Sequence, residues 1–490
     1  MAIALTSRER RGLVIGITLL IVVRLATLGA YPVMDSTESR YAEIARKMLE
    51  TGDWLMPQFA YGVPFWGKPP LSTWLSAASM WAFGVNEFAA RLPSLLLLLG
   101  CGALVVILAR LRAGRDAALL AGTFFATTLS VFLAAGAVMT DAALLLGTTL
   151  SMAGFWIAVD SYASPRRIAG YAFFVGLAIG MMAKGPVALV LTFVPIGAWT
   201  LWTRSWGKVW SGLPWVTGTL LAAILAVPWY VAAERATPGF LEYFIVGEHW
   251  KRFVEPGWKG DLYGGAHSQP HGLIWLFWIA AALPWSLPAI GWLVRVVTFR
   301  RDTLRTLVRD SWQVYLLLWT VTPMLFFTMA GNILATYVLP GIPAFALLLA
   351  AIWRTPAADA RMVRVPPRHG IAAAAFLSIV AVGVVAAMGT TFQTQLSQRK
   401  LVRTYEAVRA SADQRLVYVE KMPISADFYS HGKAILVTDF AGLQRYLTDG
   451  TADFVVVRAK GLEALPPDAR AHLVDVGSFG GYRLLREGSG

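Results

Sequence analysis

Charged side chains that could do chemistry are concentrated in two hydrophilic stretches and two short turns of a largely apolar chain. The first stretch carries the carboxylates Asp35 and Glu38 with the cation Arg40. The turn at Asp141 adds a third acid, and the turn at Lys184 carries a cation that reads equally well as a functional residue or as a turn signal. Carboxylates beside a reacting hydroxyl can accept its proton or stabilise an oxocarbenium-like transition state. An acid close to hydrocarbon is costly without a partner or a task. We therefore interpret Asp35 and Asp141 as candidates for a reacting centre.

Two cations complement these acids. Lys68 is presented from a rigid turn, because the rings of Pro69 and Pro70 hold the following backbone extended. A lysine that only reaches the membrane interface is the alternative reading. Arg252 lies among aromatic residues, and its planar guanidinium can bind an anion in bidentate fashion. Separated acids and cations at one interface suit the transfer of a sugar from a lipid phosphate, with the cations on the leaving phosphate.

Histidines in the second stretch raise the question of a metal. His267 and His271 are four residues apart, and Glu248 or His249 could complete a site. Pro270 breaks the helix that would place both imidazoles on one face. We therefore expect no required cofactor, with His249 as the remaining candidate ligand for a divalent metal.

The composition indicates a membrane protein. Hydrophobic residues make up 57% of the 490 residues, and apolar runs of about 20 residues, long enough to cross ~30 Å of hydrocarbon, recur along the chain. The formal net charge is +14, but the basic residues lie in short breaks between apolar runs, as the positive-inside rule describes. No basic face is large enough to follow a phosphate backbone, so we expect no nucleic-acid partner.

About eleven to thirteen membrane-spanning helices are predicted from the apolar runs. The runs lie at about 12–30, 88–109, 117–139, 142–159, 168–183, 186–203, 213–232, 271–294, 312–330, 334–353 and 370–391. With the basic N-terminus inside, every second break is cytoplasmic, and the loops 31–87 and 233–270 lie on the extracytoplasmic side. Segment 70–84 reads as a re-entrant or interfacial helix. Residues 1–30 show no small-residue cleavage site and are expected to be an uncleaved span.

A small soluble α/β domain is predicted after residue 391, over residues 392–490, on the same extracytoplasmic side. Strands are expected at 415–420, 434–438, 454–458 and 482–486, and helices at 395–412, 439–448 and 462–473. The segment contains no Gly-rich phosphate loop and no paired nucleophile and base. A structural or acceptor-docking role is therefore favoured over a catalytic one.

Over residues 10–355 several motifs resemble, in order, the bacterial aminoarabinose lipid A transferases and related protein-mannosyltransferase-like GT-C glycosyltransferases (family 83 type). They are ESRYAEIARKM from Glu38, TGDW from Thr51, KPPL from Lys68, FGVNEFAARLP from Phe83, MTDA from Met139, KGP from Lys184, EHWKRF from Glu248 and YVLP from Tyr337. The resemblance implies a multi-pass enzyme of the bacterial inner membrane with a GT-C domain over residues 1–391 and a periplasmic active site. It implies transfer, with inversion, from a polyprenyl-phosphate-linked sugar to lipid A or another lipid or glycan.

The resemblance also implies roles for individual residues. Lys68, Arg252 and Tyr337, with Arg40 beside them, would hold the donor phosphate. The acids of the first loop and Asp141 would serve the reacting centre. We expect Asp35→Asn and Asp141→Asn each to remove transfer activity.

Three positions depart from the family pattern. Thr37 stands where the family has an acid directly before Glu38. Gly67 replaces a glutamate that the resemblance makes a metal ligand together with the histidine matching His249, which argues against bound zinc. Asn332 and the residues after it replace a basic residue of the motif before Tyr337. These departures leave the sugar and the acceptor open.

A lipid or glycan transporter without transferase activity is the alternative class. Such a protein would place ionisable residues near the bilayer midplane, on broken helices that belong to two related halves. This chain places them at one interface and shows no such halves. Glycosyl transfer is therefore the favoured prediction.

Overall fold

Apolar helices form most of the computed structural model, which describes residues 4–159, 166–264, 268–299, 301–353, 367–388, 393–463 and 465–488. The α-helices up to residue 388 are Ser7–Thr27, Thr37–Thr51, Leu71–Phe83, Glu87–Ala126, Leu129–Ala134, Asp141–Val159, Arg166–Lys184, Val187–Thr203, Trp206–Gly212, Trp215–Ala236, Arg252–Val254, Ile274–Ala281, Ser286–Phe299, Arg301–Arg309, Ser311–Phe327, Ile342–Trp353 and Pro367–Met388. A π-helix, Glu242–Lys251, and a 3₁₀-helix, Ala335–Gly341, complete this part.

The predicted polytopic helical membrane fold is confirmed. The number of helices long enough to cross a membrane is smaller than the number of predicted apolar runs. Six helices of the described residues are long and apolar enough to cross a membrane, or up to seven if one bent pair counts as a span. That pair, Ile274–Ala281 and Ser286–Phe299, is bent by 115°. Val187–Thr203 and Ser311–Phe327 are shorter apolar helices. Several predicted runs are thus divided into short or bent pieces. The basic break at 354–366 lies outside the described residues.

The long helix Glu87–Ala126 is broken at Gly114, which has a positive φ of 81°. Glycine adopts this conformation without the steric cost that other residues meet. The break separates two of the predicted runs. The second run was expected to reach residue 139, but its helix ends at Ala126 and the short helix Leu129–Ala134 follows.

Two helices that carry site residues at their ends pack closely in antiparallel fashion. In Asp141–Val159, a Cβ at Gly147 would lie 2.6 Å from the backbone nitrogen of Gly180 in Arg166–Lys184. Glycine at this position therefore lets the backbones approach. The arrangement places the first residue of one helix, Asp141, beside the last residue of the other, Lys184.

A small α/β domain occupies the C-terminal residues. Its strands are β3 Leu416–Val419, β4 Ile435–Val437, β5 Phe454–Arg458, β6 Leu473–Phe479 and β7 Tyr482–Glu487, and their order in the sheet is β4-β3-β5-β7-β6. β3 pairs in parallel with β4 and β5, whereas β7 pairs in antiparallel fashion with β5 and β6. The helices are Gln393–Leu396, Arg399–Val408, Ile424–Tyr429, Phe440–Leu447, the 3₁₀-turn Ala459–Gly461 and Pro467–Ala471.

The predicted helix 462–473 is wrong over most of its length. Among the described residues of this range, only Pro467–Ala471 is helical, and β6 begins at Leu473. Gly480 and Gly481 both have positive φ and join β6 to β7 as a hairpin, so the segment before them pairs as a strand. The predicted domain boundary at 391 and 392 lies outside the described residues.

The C-terminal domain contacts the first loop, which contains helix Thr37–Thr51 and the short hairpin of β1 Gln58–Ala60 and β2 Val63–Pro64. The Lys47 ammonium lies 2.7 Å from the Asp427 carboxylate, although the Lys47 side chain is only 3% exposed. Arg399 and Tyr429 both bind the carboxylate of Glu87, at 3.0 and 2.9 Å. Charged contacts therefore join the C-terminal domain to the membrane part.

Candidate active site

A cavity where the two hydrophilic loops meet the helix ends collects most of the predicted cations. Its polar lining residues are Lys68, Asp141, Lys184, Glu248, His249, Arg252, Asn332 and Tyr337, and apolar residues such as Val187, Leu191 and Phe327 form the rest. Three cations and two carboxylates are among these lining residues. An apolar cavity with convergent charged groups is typical of a ligand site.

Glu248 organises the two cations that were assigned to a phosphate. Its carboxylate lies 2.9 Å from the Lys68 ammonium and accepts two hydrogen bonds from one Arg252 nitrogen, at 3.0 and 2.9 Å. Asp261 lies 3.4 Å from the same guanidinium. Glu248 and Arg252 stand four residues apart where the π-helix Glu242–Lys251 passes into the next helix, and π-helical turns are frequent at functional sites.

The Glu248 carboxylate is ionised in this setting. Its side chain is 2% exposed, and such burial by itself raises a carboxyl pKa. The charges of Lys68 and Arg252 outweigh burial and lower the pKa of Glu248 to about 2. Tyr243 also donates a hydrogen bond to Glu248, at 3.1 Å. The carboxylate therefore fixes both cations at the cavity.

Donor capacity remains on this cluster. The Arg252 Nε is buried and has no hydrogen-bond partner among the described residues. Lys68 uses two of its three ammonium hydrogens, on the Gly67 carbonyl and on Glu248. A phosphate oxygen can accept from the third hydrogen of the Lys68 ammonium, and charge-assisted hydrogen bonds of this kind are strong.

Asp141 and Lys184 form the second charged group of the cavity. The Lys184 ammonium lies 2.6 Å from the Asp141 carboxylate and 4.5 Å from the centroid of the Tyr337 ring. The closely packed helices described above set this distance. Asp141 and Tyr337 were predicted site residues, and the structure brings both of them to the cavity with Lys68 and Arg252.

Asp35, by contrast, lies in the contact between the first loop and the C-terminal domain. Its carboxylate accepts hydrogen bonds from the backbone N–H and the hydroxyl of Ser425 and from the Ser39 hydroxyl. It is not among the residues that line the cavity. Its catalytic role stays a prediction, and its contacts support a role in docking the domain.

Glu38 is also separate from the cavity. Arg91, whose side chain is fully buried, pairs with both Glu38 oxygens at 2.7 and 2.9 Å and donates to the carbonyls of Leu28, Tyr31 and Pro32. These contacts hold the start of the first loop against helix Glu87–Ala126. They support a structural role for Glu38, whose predicted catalytic role stays a prediction.

Arg40 points toward the second loop. A Cβ at Gly264 would lie 2.8 Å from an Arg40 guanidinium nitrogen, and the positive φ of 150° at Gly264 also favours glycine. Arg40 does not line the cavity. Its predicted contact with the donor phosphate stays a prediction.

His249 does not fit a metal ligand in this arrangement. Its Nδ1 lies 2.8 Å from the Phe244 carbonyl and its Nε2 lies 3.0 Å from the Lys184 carbonyl. Both nitrogens thus face acceptors, and neither directs a lone pair at open space. The described residues hold no group of three or more His, Cys, Asp or Glu side chains that could bind a metal. His267 lies outside the described residues. That no cofactor is required stays a prediction.

Sequence reasoning did not assign a site role to two charged residues of the cavity, the cation Lys184 and the acid Glu248. The sequence favours a turn role and a functional role for Lys184 equally, and it indicates Glu248 only as a candidate metal ligand. Ionisable residues at the level of the bilayer surface were the available signal for Lys184. The spacing of four residues between Glu248 and Arg252 was the signal for Glu248.

Comparisons with known proteins confirm the resemblance drawn from the motifs. Residues 13–244 match the family model for dolichyl-phosphate-mannose-protein mannosyltransferase. The undecaprenyl phosphate-α-4-amino-4-deoxy-L-arabinose arabinosyl transferase of Erwinia tasmaniensis is 34% identical over 316 residues, which cover 64% of this chain and 54% of that protein. The transferase of the same name from Enterobacter sp. is 32% identical and covers 69% of this chain and 58% of the relative. The matched chain therefore spans little more than half the length of these relatives.

Solved structures define the class of fold. The crystal structure of ArnT from Cupriavidus metallidurans bound to undecaprenyl phosphate superposes with a TM-score of 0.77 at 19% identity, and covers 96% of this chain and 97% of that one. Its apo state gives a TM-score of 0.75. The chain is therefore a polytopic membrane protein with the GT-C glycosyltransferase fold. Within that class, the relatives it resembles are the aminoarabinose transferases.

Proposed function

We propose that the chain is a membrane glycosyltransferase that moves a sugar from a polyprenyl-phosphate-linked donor to a lipid acceptor. The cation cluster of Lys68 and Arg252, held by Glu248 at an apolar cavity, is the observation that carries the proposal. The names of the relatives support undecaprenyl phosphate as the carrier and aminoarabinose as the sugar. Lipid A, which the motif resemblance implies, is the proposed acceptor.

The proposed reaction is a single displacement with inversion, as the motif resemblance implies. An acceptor oxygen attacks the anomeric carbon while the bond from that carbon to the phosphate oxygen breaks, and the electron pair goes to the phosphate. Lys68 and Arg252 stabilise the negative charge that develops on the leaving phosphate. Asp141 belongs to the other charged group of the cavity, the pair with Lys184, and its carboxylate can stabilise the oxocarbenium-like centre. It also accepts the proton when the acceptor is a hydroxyl, whereas a phosphate acceptor needs no base.

The proposed location is the bacterial inner membrane, with the cavity and the C-terminal domain on the periplasmic side. The distribution of basic residues in alternate breaks of the sequence supports this orientation. A single-cysteine series on a Cys101→Ser background, labelled from each side of the membrane, tests it. Labels at positions 60 and 450 should react from the same, periplasmic face, and reaction from opposite faces would contradict the orientation.

Transfer is tested with the purified protein in proteoliposomes that contain undecaprenyl-phosphate aminoarabinose and lipid A. Mass spectrometry should show lipid A gaining the sugar, and Asp141→Asn should lose this turnover while it still binds undecaprenyl phosphate. Asp302→Asn, at a carboxylate that is 94% exposed, is the matched control. Movement of the donor lipid across the bilayer without any glycosylated product would favour a transporter and overturn the proposal.

A further inference from the structure

A second charged feature lies near the end of the first helix. Arg24 stands in the last turn of helix Ser7–Thr27 and is only 7% exposed. One of its nitrogens donates to the Leu133 carbonyl at 3.2 Å, and the guanidinium carbon lies 4.7 Å from the centroid of the Phe132 ring. The Nε is buried without a hydrogen-bond partner among the described residues. Part of this buried cation is therefore unsatisfied.

The charge of Arg24 is also uncompensated locally. Glu38 is the carboxylate that acts on the Arg24 charge, and both of its oxygens already accept hydrogen bonds from the Arg91 guanidinium. No ion pair to Arg24 is present in the described part of the chain. An arginine in or beside hydrocarbon is costly without an anion or water. The site thus carries one positive charge more than its own carboxylates balance.

An apolar groove leads away from this guanidinium. It is lined by helix Ser7–Thr27, by both parts of helix Glu87–Ala126 and by the short helix that follows, and Arg24 is the one charged residue among its described lining residues. The other lining residues are apolar, among them Leu20, Leu98, Leu99, Gly102, Ala103 and Phe132. The groove shares no lining residue with the cavity of Lys68 and Arg252. A long apolar surface that ends at a cation near the end of a helix matches a lipid with an anionic head group.

We propose that this groove is a binding site for an anionic membrane glycerophospholipid, with an acyl chain along the groove and the phosphate on Arg24. The inference does not depend on the proposed transfer reaction. The lipid phosphate supplies the missing counter-charge beside the Arg24 guanidinium at the end of the groove. Polyprenyl phosphate shares this chemistry, but the phosphate cluster of the other cavity is separate from the groove.

Native mass spectrometry of the full-length protein tests the proposal, with phosphatidylglycerol and phosphatidylcholine of identical acyl chains as probes. The wild type should retain phosphatidylglycerol about tenfold more strongly, the factor expected for one charge-assisted contact. Arg24→Gln should lose this preference, and Arg24→Lys should keep part of it. Arg110→Gln, at an exposed arginine of helix Glu87–Ala126, is the control and should behave as wild type.

A second variant keeps the test decisive when Arg24→Gln does not fold. Ala103→Phe fills the groove without changing its charge and should reduce retention of both lipids. Phosphatidylglycerol should raise the thermal midpoint of the wild type but not that of Ala103→Phe. Equal retention of phosphatidylglycerol by wild type, Arg24→Gln and Ala103→Phe would overturn the proposal. Loss of polyprenyl phosphate alone in Arg24→Gln would also overturn it, because the groove would then belong to the donor.

Discussion

Asp35 accepts hydrogen bonds from both the backbone N–H and the hydroxyl of Ser425, 390 residues away in the sequence. The contact joins the loop that follows the first helix to the start of helix Ile424–Tyr429. An acid expected at the reacting centre is thereby engaged in an interface between two parts of the protein.

Replacing Asp35 should therefore loosen the C-terminal domain. In Asp35→Asn one of the two Ser425 donors faces an amide group that cannot accept, and loss of a buried hydrogen bond costs about 1–3 kcal/mol. We expect a lower thermal midpoint and faster proteolysis between the two domains. Ser425→Ala should produce the same changes, and the double variant should cost less than the sum of the two. Full stability in Asp35→Asn with no turnover would instead restore the catalytic role.

The Glu38–Arg91 pair should be required for folding rather than for chemistry. Glu38→Gln removes the negative charge and leaves the fully buried Arg91 guanidinium without its counter-charge. Breaking a buried pair from one side costs about 3–5 kcal/mol. Expression and thermal stability in detergent should fall sharply. If Glu38→Gln were stable and inactive, Glu38 rather than Asp141 would be the acid of the reacting centre.

Arg252 and its neighbour Lys251 offer a matched pair for the phosphate role. Arg252 lines the cavity, whereas Lys251 is exposed. Arg252→Gln should weaken binding of undecaprenyl phosphate by about 1.5–3 kcal/mol, the value for a hydrogen bond to a charged group. Lys251→Gln should leave binding unchanged. Isothermal titration of both purified variants measures the difference, and equal affinities would contradict the assignment.

Glu248 should make stability depend on pH only in acid. Its pKa is lowered on folding, so the unfolded chain binds more protons than the folded one between the ordinary glutamate value and about 2. The contribution of roughly 3 kcal/mol is therefore complete above about pH 5 and is lost as the pH falls toward 2. The difference in thermal midpoint between wild type and Glu248→Gln should be constant from pH 8 to pH 5 and shrink below. A difference that grew in acid would contradict this charge assignment.

Local patterns were sufficient for part of the site. Asp141 and Lys184 interrupt apolar runs at the same level of the membrane, and the lengths of the two helices place these residues side by side. The motifs around Lys68, Arg252 and Tyr337 likewise indicated one site, and the cavity contains all three.

The other partners of the site residues are distant in sequence and could not be predicted from local patterns. Lys68 and Glu248 are 180 residues apart, and nothing in either local segment specifies the other as its partner. Arg91 follows an apolar helix pattern, so its engagement of Glu38 was not visible before the fold was known. Glu43, Arg46 and Lys47 lie on the charged face of helix Thr37–Thr51, a pattern that favours exposure, but they are buried by the hairpin and the C-terminal domain.

The buried bridge between Lys47 and Asp427 limits how the protein can be recombined. The C-terminal domain has its own sheet and looks like a part that could be exchanged between related enzymes. A graft that brought a neutral residue to position 427 would leave an ammonium group enclosed without its partner. A functional chimera should therefore take the first loop and the C-terminal domain from the same parent protein. Substitutions in these two distant stretches of sequence are expected to be coupled.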